Sequence, residues 1–256
     1  EIEEIILSRQ EILPAPTGGQ IGTKSIAEDA LDDYIAFLEK TTTARFDGLK
    51  IALDCANGAS YKAAPIALLD LGAKMCIIHN EPDGTNINEN CGSTHIEELQ
   101  AFVKEHQADV GFAFDGDADR CLAVDENGEL IDGDRILAVC GKYMKEHQAL
   151  EKNTIVGTVM SNLGLSIMGK ANDITIKQAN VGDRYVLEQM LKEGYNLGGE
   201  QSGHIIFLDH NTTGDGVLTA IQFLTVMVRT GKKASELASV MEVLPQVLVN
   251  ARVNNA

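Results

Sequence analysis

Residues 110–131 read VGFAFDGDADRCLAVDENGELI, and this stretch carries the strongest structural signal in the chain. The apolar run at 110–114 predicts a buried strand, and an acidic segment at 115–120, here called the acidic loop, follows it. A turn signal at 125–128 then separates two apolar arms, which predicts a hairpin. We therefore expect a strand, a loop and a hairpin in succession, with a first domain ending near residue 130.

Helix-like and strand-like segments alternate on both sides of this stretch. Some segments repeat apolar residues at helical spacing, and others are short β-like runs. The predicted helices lie at 26–40, 61–71, 135–146, 163–170, 183–192 and 216–228, with one more after Thr94. The other predicted strands lie at 50–54, 74–79 and 154–159, at 173–177, and on either side of 198–203. Ser25 with Glu28, and Thr94 with Glu97, have capping-box spacing at two of the helix starts.

This alternation predicts an α/β protein with two consecutive α/β sandwich domains and mixed sheets. The first domain is expected at 25–130 and the second at 131–243. Residues 1–24 and 244–256 fit neither unit. We expect 1–24 to be the end of a preceding domain with its linker, and 244–256 to be a linker toward a following domain.

The composition narrows the classes of protein to consider. Of 256 residues, 44% are hydrophobic and 23% are charged, which is typical of a globular chain. The formal net charge of −17 repels nucleic-acid backbones and anionic lipid, and no apolar run approaches the roughly 18 residues that span a bilayer. Five widely spaced cysteines without a C-x-x-C pair indicate reduced thiols. We expect a cytoplasmic protein that binds neither nucleic acid nor membranes.

The acidic loop has Asp115, Asp117 and Asp119 at alternate positions, with Arg120 directly after them. On extended backbone these carboxylates would converge on one side, and they would repel one another strongly without a cation between them. Hard oxygen ligands select Mg²⁺ or Ca²⁺, and Mg²⁺ usually keeps positions open for water and a phosphate oxygen. We therefore predict one Mg²⁺ ion on the three aspartates, with Arg120 as a second partner for a phosphate.

Three other interpretations compete for the acidic loop. An EF-hand counted from Asp115 would have Glu126 at its twelfth position, but its sixth position needs Gly and holds Arg120. A phosphatase with an aspartyl nucleophile would need Thr or Val where Asp119 stands. A solvated acidic turn is the plainest alternative, but an apolar strand leading into three spaced aspartates and an arginine is unusual for one.

A second candidate site is the segment GEQSGH at 199–204, here called the glycine loop. Glu200 and Ser202 are two residues apart and are expected to project from one face, and Gly199 allows a ligand close to the backbone. A carboxylate beside a serine hydroxyl suits a sugar ring, and His204 suits phosphate contact or proton transfer. Alone, the segment favours a glycine-rich hairpin turn. The presence of the acidic loop in the same chain favours the sugar-binding interpretation.

Weaker signals lie elsewhere. Arg184 is a candidate for contact with an anionic ligand, but Asp183 as a helix N-cap with Arg184 solvated is the favoured interpretation. Cys91 has no identifiable base, so it is not predicted to be a nucleophile. Five other histidines show no metal-ligand spacing: His79, His95, His106, His147 and His210.

Taken together, these segments resemble the α-D-phosphohexomutases. The resemblance rests on the acidic loop, the glycine loop and the order of elements between them, and it spans essentially the whole chain. Further segments are similar to the members of this family that act on glucosamine phosphates. They are PDG at 82–84 followed by CGSTH at 91–95, Gln201 in the glycine loop, and VGDRY at 181–185.

The resemblance implies domains 2 and 3 of a four-domain mutase that interconverts glucosamine 6-phosphate and glucosamine 1-phosphate. It implies a phosphoserine, a glucosamine 1,6-bisphosphate intermediate, Mg²⁺ on the three aspartates, and Arg120 at the phosphate. It also implies that Glu200 and Ser202 bind sugar hydroxyls and that His204 transfers a proton or contacts phosphate. A glucose or mannose phosphate mutase of the same family, or a non-catalytic sugar-phosphate-binding module, stays open. The family commonly has Gly where this chain has Ala118, a difference of one methyl group.

Two parts of the family's active site have no counterpart in this sequence. No segment matches the loop that carries the phosphoserine, and none matches the phosphate-clamping loop of the fourth domain. We therefore expect this chain alone to be inactive as a mutase. The resemblance is also compatible with a homodimer of the whole enzyme.

Overall fold

The structure, a computed structural model, describes residues 5–7, 16–247 and 249. Its first sheet has strand order β2-β1-β3-β4-β5. The strands are β1 (Lys50–Asp54), β2 (Lys74–Ile78), β3 (Val110–Phe114), β4 (Cys121–Asp125) and β5 (Leu130–Ile131). β1 pairs in parallel with β2 and β3, whereas β4 is antiparallel to both β3 and β5. The sheet is therefore mixed, as predicted.

Both faces of the first sheet are covered. The helices before and within it are α1 (Ala30–Lys40), α2 (Ser60–Asp70) and α3 (Glu97–His106). Alternate residues of β1 pack into different clusters: Ala52 packs with Leu99 and Val103 of α3, and Ile51 and Leu53 join the larger core on the other face. Because both faces are buried, β3 and β4 read as nearly continuous apolar runs.

The second sheet repeats this plan on a smaller scale, with strand order β7-β6-β8-β9. The strands are β6 (Thr154–Thr158), β7 (Thr175–Ala179), β8 (Leu197–Gly199) and β9 (Ile205–Phe207). β6 pairs in parallel with β7 and β8, and β9 is antiparallel to β8. The helices α4 (Gly133–Glu146), α5 (Leu163–Ala171) and α6 (Asp183–Glu193) pack around it. The predicted class, two α/β sandwiches with mixed sheets, is confirmed.

Helix α7 (Gly216–Thr230) joins the two sheets. It follows the second sheet in the chain, yet it packs on β3 and β4 of the first sheet as well as on α4. Phe223 on α7 meets Phe112 on β3 edge to face, with ring centroids 6.1 Å apart. A single buried apolar cluster consequently extends from the first sheet through α7 into the second sheet.

Both predicted capping boxes are wrong. α1 begins at Ala30 instead of residue 26, because Ile26 is 80% exposed and has no core to pack against. α3 begins at Glu97, and the hydroxyl of Thr94 contacts His95 instead of capping the helix. Gly92 begins a 3₁₀ turn here, and its N–H donates to the Asp54 carboxylate. Asp183 is also not an N-cap, because Gly182 occupies that position.

Other differences are small. β7 begins two residues later than predicted, and the short helix α8 (Ala234–Ala238) was not predicted.

The domain limits at 25–130 and 131–243 stay predictions. Much of the two predicted edge segments, namely 1–4, 8–15, 248 and 250–256, lies outside the described residues. Within the described part of the chain, every helix is too short or too polar to cross a membrane.

Candidate active site

The acidic loop connects β3 to β4, two antiparallel neighbours in the first sheet. Asp115 follows the buried strand and is 7% exposed, whereas Asp117 is exposed and Asp119 is half-buried. Oxygen atoms from the three carboxylates lie within 4.8 Å of one another. Ala118 makes this convergence possible by adopting a left-handed φ of 62°, a turn conformation that differs from the extended backbone expected for this loop.

The electrostatics of the acidic loop favour a cation. Burial, together with repulsion from Asp119 and Asp117, raises the pKa of Asp115 to about 6, although the Arg120 N–H bond opposes this shift. Oδ1 of Asp119 is buried and has no hydrogen-bond partner. The Arg120 Nε lies 3.7 Å from Asp115 and 3.9 Å from Asp119, and its side chain is 44% exposed. These residues fit Mg²⁺, since an oxygen-binding cation would satisfy the orphaned Asp119 oxygen and relieve the repulsion.

The glycine loop connects β8 to β9, the equivalent pair of strands in the second sheet. It is a turn, because the Gly203 N–H donates to the Glu200 carbonyl and the Glu200 N–H donates to the His204 carbonyl. The expectation that Glu200 and Ser202 project from one face because they are two residues apart therefore does not apply to this turn. Ser202 is exposed, and Oε1 of the half-buried Glu200 accepts a 2.9 Å bond from the Gly182 N–H.

The two loops meet through His204. Its Nδ1 lies 2.9 Å from Oδ2 of Asp119, and its Nε2 accepts a 3.1 Å bond from the Gly214 N–H. Because Nε2 is an acceptor, the neutral ring donates from Nδ1 to Asp119. His204 is only 3% exposed, so this geometry makes it a support for one carboxylate of the acidic loop. Its predicted contact with phosphate or a transferred proton stays a prediction.

Backbone contacts also tie the loops together. The Cys121 N–H donates to the Gly203 carbonyl over 3.0 Å, and Arg120 and His204 form an antiparallel bridge. Gly203 has φ +96°, and an added Cβ would lie 2.4 Å from the Cys121 carbonyl oxygen. Glycine is therefore required here both for conformation and for space.

The start of α7 contributes residues that the sequence did not link to the site. The Gly216 N–H donates to the Ala118 carbonyl, and a Cβ on Gly214 would lie 2.4 Å from the His204 ring. Asp215 caps the helix by accepting from the Leu218 N–H. A Gly-Asp-Gly triplet before an apolar helix is a recognisable N-cap signal, but only the fold brings it to the acidic loop.

Two remaining candidates behave differently. The side chain of Arg184 is 78% exposed, and its Nε donates to Glu188 over 2.8 Å. Arg184 is nevertheless near the glycine loop in the chain's fold, because Gly182, two residues earlier, donates its N–H to Glu200. Cys91 is buried, and burial together with the Asp54 carboxylate raises the pKa of its thiol to about 11. A nucleophilic role for Cys91 is therefore disfavoured, in agreement with the sequence.

Two family models match this chain in succession. The alpha/beta/alpha domain II of phosphoglucomutase/phosphomannomutase matches residues 32–128, and alpha/beta/alpha domain III matches residues 132–244. Both loops and all the strands described above except β5 fall within these matches. The chain belongs to the phosphoglucomutase/phosphomannomutase family, and the resemblance to phosphohexomutases is confirmed.

Within this family, the chain is similar to proteins named phosphoglucosamine mutase. It is 64% identical over 255 residues to one from Ruminiclostridium cellulolyticum, covering 100% of this chain and 57% of the relative. It is 61% identical over 254 residues to one from Acetivibrio thermocellus, covering 99% of this chain and again 57% of the relative. The chain thus spans a little over half the length of these curated relatives.

Solved structures share the fold. A phosphoglucomutase/phosphomannomutase family protein from Burkholderia thailandensis superposes with a TM-score of 0.75 at 24% identity, covering 96% of this chain and 52% of that one. Aspergillus fumigatus N-acetylphosphoglucosamine mutase, in complex with GlcNAc-6P and magnesium, superposes with a TM-score of 0.67 at 18% identity. That match covers 87% of this chain and 54% of that one. At these identities the likeness concerns the fold alone.

Proposed function

We propose that this chain carries the cation-binding and sugar-binding parts of a phosphoglucosamine mutase active site. The observation that carries the proposal is the direct link between the loops, in which His204 of the glycine loop contacts Asp119 of the acidic loop at 2.9 Å. A cation on the acidic loop would consequently lie beside a sugar held by the glycine loop. Similarity to proteins named phosphoglucosamine mutase supports the choice of an amino sugar.

In this proposal each loop residue has a separate task. Asp115, Asp117 and Asp119 hold one Mg²⁺, which when bound supplies charge neutralisation for a transferred phosphoryl group. Arg120 is partly exposed beside them and binds a phosphate oxygen. Glu200 and Ser202 accept from and donate to sugar hydroxyls. The expected access at Gly199 is wrong, because Gly199 is buried at the end of β8 and a Cβ there would lie 2.5 Å from the His204 carbonyl oxygen. His204 holds Asp119, and Arg184 is a candidate for a second phosphate contact at the rim.

The proposed reaction transfers phosphoryl groups through a serine that is not in this sequence. The phosphoserine Oγ–P bond breaks as the phosphoryl group passes to the free hydroxyl of glucosamine 6-phosphate, which gives glucosamine 1,6-bisphosphate. The intermediate then reorients and returns its other phosphoryl group to the serine, leaving glucosamine 1-phosphate. The chain alone is therefore proposed to bind the sugar phosphate without turnover. A cytoplasmic location and a homodimer of the whole enzyme belong to the same proposal.

The experiment is a titration of the isotope-labelled chain, followed by amide chemical shifts with Mg²⁺ present. We expect glucosamine 6-phosphate to shift residues of the acidic loop and the glycine loop, and glucose 6-phosphate to shift them less. Glu200→Gln should weaken these shifts, whereas the matched change Glu105→Gln, on the exposed face of α3, should not.

Each result has a defined meaning. Equal shifts with both sugar phosphates would refute the amino-sugar assignment and favour a glucose or mannose phosphate mutase. Shifts confined to residues outside both loops would refute the site. Turnover of glucosamine 6-phosphate by the purified chain would refute the requirement for an external phosphoserine.

A further inference from the structure

A second cluster of ligand-type side chains lies at the carboxyl edge of the first sheet. Asp54 is the last residue of β1, and His79 directly follows β2, whose Ile78 is opposite Asp54 in the parallel register. Cys91 precedes the 3₁₀ turn at Gly92–Thr94 and completes the cluster. One ligand atom from each of these three residues lies within 4.8 Å of the others, and Asp54 and Cys91 are fully buried.

The ring of His79 lies between two carboxylates. Its Nε2 lies 3.4 Å from a Glu98 carboxylate oxygen, and its Nδ1 lies 3.1 Å from Oδ1 of Asp54. Nδ1 is nevertheless buried and makes no hydrogen bond of acceptable geometry. If Glu98 accepts the Nε2 proton, Nδ1 carries a lone pair only 3.1 Å from the Asp54 carboxylate. Two such electron-rich atoms repel unless a cation lies between them.

Asp54 and Cys91 are suited to the same cation. Oδ1 of Asp54 accepts from the Ala56 N–H and Oδ2 accepts from the Gly92 N–H, so the carboxylate is fixed while each oxygen keeps a free lone pair. Over the residues that the structure describes, the Cys91 thiol makes no disulfide. As a thiolate with the Asp54 carboxylate, it would match the charge of a divalent ion.

We propose that Asp54, His79 and Cys91 bind a transition-metal ion of the zinc class, with Glu98 as the outer partner of His79. A donor set of one sulfur, one nitrogen and one oxygen selects Zn²⁺ or a similar ion and disfavours Mg²⁺ and Ca²⁺. Donors bound to one tetrahedral Zn²⁺ lie roughly 3.3–3.7 Å apart, given Zn–N and Zn–S distances of about 2.0–2.3 Å. The cluster therefore needs only small side-chain movements. A fourth position is left for water.

The proposed ion would stabilise the segments that pack beneath the acidic loop. A Cβ on Gly92 would lie 2.4 Å from the Phe114 carbonyl oxygen, so the turn after Cys91 packs directly on the residue before Asp115. The ion would thus tie the ends of β1 and β2 and this turn together beneath the loop. This inference does not rest on the proposed mutase function, since it uses none of the residues of the acidic or glycine loop.

The competing arrangement needs no metal. A protonated His79 held between Asp54 and Glu98 would satisfy both carboxylates and would leave Cys91 as a buried thiol without a ligand role. The two arrangements differ in whether a thiolate–metal bond forms, which spectroscopy detects directly.

The test is a Co²⁺ titration of the purified chain, with excess Mg²⁺ present to occupy the acidic loop. We expect a near-ultraviolet thiolate-to-cobalt charge-transfer band that saturates at one equivalent and is abolished by one equivalent of Zn²⁺. Cys91→Ser should remove the band, whereas Cys76→Ser, at a half-buried thiol on β2, should keep it. His79→Gln should weaken Zn²⁺ binding by more than about 100-fold, and Glu98→Gln should weaken it by about tenfold.

Three outcomes would overturn the proposal: no band in the parent chain, a band that survives Cys91→Ser, or unchanged Zn²⁺ affinity in His79→Gln. Far-ultraviolet circular dichroism of each variant checks its folding. Because Glu98 is largely exposed at its side chain, Glu98→Gln provides a variant that should fold even if the buried changes do not. A failed sugar-phosphate titration would leave this test unaffected.

Discussion

The acidic loop and the glycine loop occupy equivalent places in two similar sheets but carry different chemistry. Each connects the third strand of a parallel set to an antiparallel neighbour, in the orders β2-β1-β3-β4 and β7-β6-β8-β9. The acidic loop crowds three carboxylates around a left-handed Ala118, whereas the glycine loop makes a tight turn with Gly203 at φ +96°. The same topological position thus supplies a cluster of carboxylates in one sheet and a tight glycine turn in the other.

The largest expected effect breaks the contact between these loops. Gly203→Ala should lower the free energy of unfolding by about 3 kcal/mol, because it adds left-handed strain and a clash with the Cys121 carbonyl. Gly48→Ala is the matched control: Gly48 has φ +90° but no atom within 4 Å of an added Cβ, so it should lose only about 1 kcal/mol. Urea denaturation measures both values, and equal losses would show that the loop contact contributes nothing.

A second test separates the chemistry of the two loops. Asp117→Asn should lower Mg²⁺ affinity by on the order of 100-fold, since ligand charge largely sets the affinity of oxygen sites for divalent cations. Glu200→Gln should leave Mg²⁺ affinity within about twofold, because the Glu200 carboxylate binds the Gly182 N–H instead of the acidic loop. Calorimetric titration with Mg²⁺ measures both affinities. A comparable loss in Glu200→Gln would mean that the loops are not chemically separate.

The pH dependence of Mg²⁺ binding sharpens the same distinction. The pKa of Asp115 is raised to about 6, chiefly by burial, and Mg²⁺ binds the carboxylate and not the carboxylic acid. Affinity should therefore fall by up to about tenfold per unit as pH drops below about 6. In the metal-free protein the native state holds this proton more tightly than the unfolded state. Its contribution to stability therefore decreases as pH rises from about 4 to about 6.

Thermal denaturation with and without Mg²⁺ measures this effect. The Mg²⁺-dependent rise in Tm should be larger near pH 7 than near pH 5. Asp115→Asn should have a lower affinity with a flatter pH profile. A parent chain whose Mg²⁺ affinity does not change between these pH values would contradict the role of Asp115.

The sequence predicted the strands of the two sheets better than it predicted the contacts that join them. Strands such as β3 were predicted correctly because burial on both faces leaves a continuous apolar run. Three spaced aspartates were enough to propose a cation site, since their mutual repulsion is a local property. The His204–Asp119 contact spans 85 positions and could not be predicted from spacing, and neither could the approach of Gly214 to the same ring. The cluster of Asp54, His79 and Cys91 was missed for the same reason, because parallel strand pairing and a turn assemble it.

The smallest expected effect concerns Ala118 in the acidic loop. Its φ of 62° costs an alanine roughly 1–2 kcal/mol, but glycine loses more backbone entropy on folding. Ala118→Gly should therefore stabilise the chain by at most about 1 kcal/mol and leave Mg²⁺ affinity unchanged. Ala101→Gly, the same change on the exposed face of α3, should instead destabilise it by about 1 kcal/mol. Opposite signs in urea denaturation would show that the acidic loop holds Ala118 in a strained conformation; equal losses would show that its methyl group packs favourably.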